Sequence, residues 1–308
     1  ALPRLVRYLR TAHPAVLLST MSHANIIALL ARIIAGKNIR LVVREANTVS
    51  KSLIIDRKWR GRVIPFLMRL LYPMADTIIA PSHGVLQDLA KTVRLPESKI
   101  RLIHNPTMTP DLLQQKDIPL DHSWFQFGEP PVVLGVGRLK PQKDFSTLIS
   151  AFAKAIKHKP LRLMVLGEGP ERSKLENLAQ ELGVADKVSF PGFVKNPYNY
   201  MKNSGLFVLS SAWEGLPNVL IEAMACGVPV VSTNCTSGPD EILESGKYGD
   251  LVPVGDSDLL SQAIVKGVER KKNIDYCRKL VQRSMDFSTN SIVKKYLETL
   301  TQKELEKY

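Results

Sequence analysis

Short apolar, β-branched runs alternate with helix-like segments along most of this chain, and few folds accommodate that alternation. Between Ala15 and Pro106 the runs AVLLS, IRLVVRE, DTIIAPS and KIRLIHNP are separated by HANIIALLARIIA, GRVIPFLMRLLYPM and SHGVLQDLAKTV. Strands joined through helices run parallel, so this half reads as a parallel sheet wrapped by helices. A polar, proline-containing stretch over 107–131 interrupts the pattern. It resumes with PVVLGVG, LRLMVLG, KVSF, GLFVLS and VPVVST, with helices expected over 144–158, 171–182, 196–203 and 217–226. The chain is therefore expected to be α/β, with one domain over 1–115 and a second over 116–285. In the remainder, 286–308, Ser288 is a candidate N-cap, and Ile292, Tyr296, Leu297 and Leu300 give an amphipathic helix an apolar face. That helix is expected to brace one domain against the other.

Composition narrows the function classes. With 308 residues, 44% of them hydrophobic and 23% charged, the chain can bury two cores and is neither disordered nor collagen-like. Its net charge of +13 favours anionic partners such as phosphates, a lipid surface or nucleic acid. Most of the excess lies early, since residues 1–125 hold 18 basic and 8 acidic side chains. Three scattered cysteines, Cys226, Cys235 and Cys277, form neither a CxxC motif nor a disulfide framework, which points to a reducing cytosol. The most apolar early stretch, AVLLSTMSHANIIALLARIIAG, is broken by polar residues and falls short of a membrane-spanning helix.

The strongest constellation is Glu214-Gly215-Leu216-Pro217-Asn218-Val219-Leu220-Ile221-Glu222, placed between a strand and a helix. Pro217 suits a helix start, and Gly227 with Pro229 supplies a stop. Amides from Leu216 to Val219 at the positive end of the helix would stabilise a diphosphate. Glu222 shares a helical face with Asn218, and Glu214 lies in the loop before it, so the two carboxylates flank that end. Such a layout matches a nucleotide-sugar, although a surface helix with two solvated acids has the same spacing. A second constellation, VVLGVGRLKPQKDF, ends a buried strand at Gly137 and releases Arg138, Lys140 and Lys143 where ligands bind in open α/β sheets. Arg138 and Lys143 are candidates to hold a departing diphosphate. Lys140 stands where a dinucleotide fingerprint needs Gly or Ala, and no P-loop motif occurs.

Weaker signals surround these two. The turns VLGEGPE and FPGFV bring Gly167 and Phe193 to strand ends, where backbone groups could approach a base or ribose. TSGPDEI, residues 236–242, reads as a loop and helix start near the sugar. Asp256 and Asp258 read as a helix cap and first-turn acid rather than metal ligands, and the histidines show no ligand spacing. The segment Lys51 to Arg62, KSLIIDRKWRGR, mixes basic and apolar residues with Trp59 in a way that suits anionic headgroups or a solvated loop.

Taken in order, PSHGVLQDLAK, RLIHNP, VGRLKPQKDF, LGEGP, PGFV, SSAWEGLPNVLIEAMACGVPVVST, GPDEIL and GDLVPVGD resemble the retaining glycosyltransferases of family four. The resemblance implies a GT-B fold, two facing Rossmann-like domains with parallel sheets, the N-terminal one incomplete. It implies that Glu222 binds ribose hydroxyls, Glu214 holds donor-sugar hydroxyls, and amides around Asn218, Val219 and Leu220 contact the diphosphate. Arg138 and Lys143 would neutralise the leaving nucleoside diphosphate, and the turn at Phe193 and Val194 would meet the base. The donor would be a nucleoside-diphosphate sugar, often a UDP-sugar, used without metal or other cofactor. The expected partners are that donor, a glycan or lipid-linked acceptor, and an anionic membrane touched peripherally from the cytoplasmic side, with no nucleic acid.

Two departures from the family pattern stand out. Similar proteins begin with a strand, a Gly-rich loop and a helix before the segment at Ala1, so the expectation is of an N-terminally truncated enzyme. Where relatives end the strand of VVREANT with a cleft-facing His or Arg, this chain has Ala46, which passes the acceptor-side role to His23, Glu45 or Asn47. Two rival expectations remain: a donor-binding fragment impaired in catalysis, and a non-catalytic binder of anionic membrane or nucleic acid.

Overall fold

A computed structural model describes residues 1–36, 38–50 and 60–301. The chain divides into two compact units, Ala1–Asn105 with Asn290–Tyr308, and Pro106–Thr289. The first unit ends before 115 because Met108 and Leu112, within the polar stretch, are buried in the core of the second unit. The basic segment Lys51 to Arg62 lies outside the described residues except for the backbone of its last three. No helix among the described residues is long and apolar enough to cross a membrane.

The first unit is built on four parallel strands in sequential order: β1 (Val16–Thr20), β2 (Arg40–Arg44), β3 (Thr77–Ala80) and β4 (Ile100–Leu102). Strand periodicity divides its core. Leu41, Val43, Ile78 and Ala80 join Ile26, Leu29, Met68 and Tyr72 on one face. Val42, Ile79 and Ile103 face the other way and are covered by Ile292 of the terminal helix Thr289–Thr301. Arg40 and Arg101 fasten that helix by donating to the Thr299 carbonyl and hydroxyl, each at 2.9 Å. Tyr296 and Leu300 pack beside Ile292 at the i+4 and i+8 positions. Leu297, expected on the same face, is 47% exposed, because five residues carry it about 140° round the helix.

The second unit holds six parallel strands in the order β10-β9-β8-β5-β6-β7. These are β5 (Val132–Val136), β6 (Arg162–Leu166), β7 (Val188–Gly192), β8 (Leu206–Leu209), β9 (Val230–Thr233) and β10 (Asp250–Val252). Both faces are covered, as continuous apolar strands require. Leu134, Met164, Phe207 and Val230 meet Leu220, Ile221 and Met224 on one side. Val133, Leu163, Val165 and Val208 meet Phe145, Leu148, Phe152 and Ile264 on the other. The helices Phe145–Ala155, Arg172–Glu181, Pro197–Asn203 and Asn218–Ala225 fall where periodicity placed them. Asp256 is an N-cap, its carboxylate accepting from the amides of Asp258 and Leu259. From β5 the chain adds strands in one direction, then returns to lay β8, β9 and β10 on the opposite side. A topological switch point therefore falls between β5 and β8.

Ile292 is fully buried, and replacing it with alanine leaves a cavity under the first sheet. Ile292→Ala is expected to destabilise the first unit by about 2–5 kcal/mol. Urea unfolding followed by hydrogen exchange at the β2 and β3 amides would register the loss, with the second unit's amides unchanged.

Candidate functional site

At the switch point, the loops that follow β5 and β8 diverge and then meet again through side chains. Lys143 Nζ lies 2.5 Å from Glu214 Oε1, and both side chains are largely buried. Ser211 Oγ donates to the same carboxylate oxygen at 2.7 Å, while Gln142 Nε2 reaches Glu214 Oε2 at 3.4 Å. Backbone bonds close the arrangement: the Ala212 amide donates to the Gln142 carbonyl, Gln142 Nε2 to the Trp213 carbonyl, and Ser210 Oγ to the Lys143 carbonyl. A buried carboxylate is tolerable only when paired and hydrogen-bonded, and Glu214 meets both conditions. Behind it, Ser237 Oγ donates to the Gly215 carbonyl at 2.7 Å, so the loop over 236–242 supports the loop that carries Glu214.

Glu222 is different. It sits half-buried on the Asn218–Ala225 helix, and no hydrogen bond holds its carboxylate among the described residues. Burial pushes its pKa up to about 7, opposed only by the positive charge of Lys143. Lys143 thus contacts one carboxylate and acts at a distance on the other. The charge of Glu222 also contributes, after burial, to raising the Tyr198 hydroxyl to about 12, which places Tyr198 beside it.

A pocket of about 460 Å³ opens at the carboxyl ends of β5, β6 and β7. Gly137, Arg138, Gly167, Phe193 and Val194, five of the expected donor-site residues, line it. The strand ends approach closely enough to require glycine. Gly167 has φ +138°, and a Cβ there would lie 1.9 Å from the Gly137 carbonyl oxygen. Phe193 is 82% exposed at the pocket rim, an arrangement that leaves an aromatic face free to stack, and Arg138 is also exposed.

The helix start is one residue later than expected, with Pro217 at the N-cap position and no side-chain cap. The Leu220 amide already donates to the Pro217 carbonyl at 3.0 Å, so it is committed within the helix. The Leu216 and Leu220 side chains are core residues; Asn218 is exposed and Val219 half-buried. Sequence reasoning missed Gln142, Ser210, Ser211 and Tyr198, and reached Ser237 only as part of the 236–242 loop. The one available signal was a pair of serines ending an otherwise apolar strand, ahead of Glu214.

In the first unit, His23, Glu45 and Asn47 follow the carboxyl ends of β1 and β2. His23 and Asn47 are exposed. Glu45 is 2% exposed and accepts hydrogen bonds from Tyr72, from Ser22 at 2.9 Å and from Asn25 at 3.1 Å, with burial raising its pKa. It pins the first turn of the Ser22–Ala35 helix, which carries His23, to the loop that carries Asn47. Among the described residues no three His, Cys, Asp or Glu side chains converge as metal ligands would.

With this geometry in hand, comparisons place the chain among known proteins. Residues 120–284 match the family Glycosyl transferases group 1, and residues 1–109 match Glycosyltransferase Family 4. The chain is 34% identical over 254 residues to N-acetylgalactosamine-N,N'-diacetylbacillosaminyl-diphospho-undecaprenol 4-alpha-N-acetylgalactosaminyltransferase of Campylobacter jejuni, covering 82% of this chain and 66% of that protein. It is 33% identical to the lipopolysaccharide core biosynthesis glycosyltransferase LpsE of Rhizobium meliloti, covering 74% and 65%. It therefore spans about two thirds of the length of these relatives. Among solved structures, HepE of Anabaena in complex with UDP superposes with a TM-score of 0.78 at 22% identity, over 98% of this chain and 82% of that one. Sucrose-phosphate synthase of Thermosynechococcus elongatus gives 0.81 at 23% identity, over 98% and 77%. These likenesses establish the GT-B fold, with its two parallel sheets.

The ion pair is testable without any ligand. Lys143→Met strands the buried Glu214 carboxylate and is expected to cost about 3–5 kcal/mol. Lys143→Met combined with Glu214→Leu is expected to recover part of that loss, giving a coupling of about 1–3 kcal/mol in a double-mutant cycle by urea unfolding.

Proposed function

The chain belongs to the group 1 glycosyltransferases, and from that premise we propose that it is a retaining, metal-independent transferase. It moves a hexose or N-acetylhexosamine from a UDP-sugar to a glycan or lipid-linked acceptor in cell-surface polysaccharide synthesis. The observation that carries this reading is the pairing of an uncommitted Glu222 with a Lys143–Glu214 pair at the switch point, beside a glycine-walled pocket. The names of its relatives support the acceptor class, since one acts on a diphospho-undecaprenol glycan and another serves lipopolysaccharide core synthesis. The UDP complex of HepE supports the donor class.

Each group has a chemical task in this reading. Phe193 stacks on the base and Glu222 accepts from the two ribose hydroxyls. Arg138 and Lys143 neutralise the diphosphate, aided by the start of the Asn218–Ala225 helix, and stabilise it as charge builds on the leaving oxygen. A diphosphate competes with Glu214 for Lys143. As the lysine moves to phosphate, Glu214 keeps Ser211 and Gln142 and gains capacity for donor-sugar hydroxyls. The leaving phosphate takes the acceptor proton on the face from which it departs, so the sugar keeps its configuration. These cationic groups fill the role a divalent ion plays in other phosphate chemistry. On the acceptor side His23 and Asn47 make the contacts, and Glu45 positions them. The reaction runs at the cytoplasmic face of the membrane.

Calorimetry with UDP-glucose and UDP-N-acetylglucosamine tests the site. Glu222→Ala is expected to weaken binding by about tenfold or more, the scale of a lost hydrogen bond to a charged group; equal affinity in both proteins would remove Glu222 from the donor site. The pH dependence has a definite sign. Ionised Glu222 offers both ribose hydroxyls a charged acceptor oxygen, whereas the neutral carboxyl keeps one good acceptor, so affinity for a UDP-sugar, whose diphosphate does not titrate in this range, is expected to rise as pH increases through about 7 and then level off. Glu222→Gln should flatten that profile.

A further inference from the structure

At the amino ends of β5, β6 and β7, opposite the pocket walled by Gly137 and Gly167, the second unit holds a cavity of about 660 Å³. The turn after the helix Phe145–Ala155 supplies Lys157, His158 and Lys159 to its lining. Arg162, the first residue of β6, and Lys187, in the turn before β7, line it as well. Ligands of open α/β sheets bind at the carboxyl ends of the strands, so the architecture alone does not account for cations gathered here. Arg162 begins β6 and Leu166 ends it at the other pocket, which sets the two about 13 Å apart along one strand.

The cations outnumber the groups that neutralise them. Glu129 holds Arg162 at 2.6 Å, and the Trp124 ring lies 5.0 Å from the guanidinium, so that fork is fixed in place. Glu269 is shared between Lys159 and Lys272, the latter at 2.9 Å. Asp186 takes Lys187 at 2.9 Å, a largely exposed pair between chain neighbours that contributes little. Lys157 and His158 are exposed, with no side-chain partner among the described residues. Five cations thus meet three carboxylates, before His158 is counted. A helix carboxyl end attracts cations, which explains Lys157 and Lys159. That attraction does not reach Arg162 or Lys187, which belong to other elements and line the same cavity.

We infer that this cavity binds a small soluble anion carrying a diphosphate or two phosphate groups, at a site separate from the one that takes the donor. Ammonium groups act as point charges and Arg162 offers a planar fork, and together they match phosphate oxygens. A lone carboxylate brings one charge against a surplus of two. The cavity is roomier than the pocket of about 460 Å³ at the other end of the strands, so a phosphorylated sugar or a nucleotide fits its size. Arg138, Lys143, Glu214 and Glu222 are not among its lining residues, and the site stands apart from the transferase reading.

His158 supplies a reporter inside the cavity. Its imidazole proton resonance in the full chain, assigned by its loss in His158→Gln, is followed as inorganic pyrophosphate is added at constant ionic strength. Wild type is expected to show a saturable shift with a midpoint at or below about 1 mM. Lys157→Gln with Lys187→Gln is expected to weaken binding by about tenfold or more, with unchanged melting, because neither lysine is buried. Lys279→Gln with Lys294→Gln removes the same charge from exposed positions elsewhere and is expected to hold the midpoint within about twofold. Arg138→Gln, which alters the other pocket, is expected to leave the midpoint unchanged. The absence of a saturable shift, equal affinity in the cavity variant, or an equal loss in the control pair or in Arg138→Gln would each overturn the proposal. So would an equal response to acetate at the same ionic strength, since the cavity would then not select phosphate. If wild type fails to bind UDP-glucose, the transferase reading falls and the His158 titration still judges this cavity by itself.

Discussion

The second unit is organised around the reversal between β5 and β8. All six strands run parallel, so the loops leaving β5 and β8 set off in opposite directions and open a crevice where they part. The chain closes the base of that crevice with a buried ion pair. Lys143 and Glu214 come from different loops and meet at 2.5 Å, and Ser211 and Gln142 complete the hydrogen-bonding of the carboxylate. A buried pair of this kind contributes little net stability, but half of it alone would be costly, so it fixes where each loop goes. The loops that carry Gln142, Lys143 and Glu214 take their place at the crevice from that constraint.

The same economy sets the two acidic residues apart. Glu214 has partners on both oxygens, whereas Glu222 is half-buried with no hydrogen-bonded partner among the described residues and a pKa drawn up to about 7. One carboxylate is organised in the absence of ligand and the other is left needing donors. Close backbone approach at Gly137 and Gly167 then shapes the pocket wall, and Phe193 stands exposed beyond it.

In the first unit a buried carboxylate again ties loops together. Glu45 gathers Tyr72, Ser22 and Asn25 at the ends of β1 and β2, and His23 and Asn47 stay exposed on either side. The apolar side of Arg60–Leu71 follows the opposite rule, since it keeps Phe66 and Leu70 in water instead of turning them inward with Met68.

The alternation of strand and helix signals determined the α/β class, the two units and most elements, because periods of 2 and 3.6 are written directly in the residues. The motif around Glu214 and Glu222 was legible for the same local reason: strand, loop, proline and helix follow one another in sequence. Sequence placed Glu214 and Lys143 in separate motifs; only the strand order, which puts β8 beside β5, brought them together. Gln142 and Tyr198 went unnoticed because their partners, Glu214 and Glu222, belong to other segments, and Ser211 because its bond to Glu214 depends on how one short loop turns. Composition likewise set the domain boundary at a polar stretch, whereas the burial of Met108 and Leu112 moved it to Asn105. Local pattern is a property of neighbours along the chain, and the pKa of Glu222 or the commitment of Glu45 depends on neighbours in space, which only packing decides.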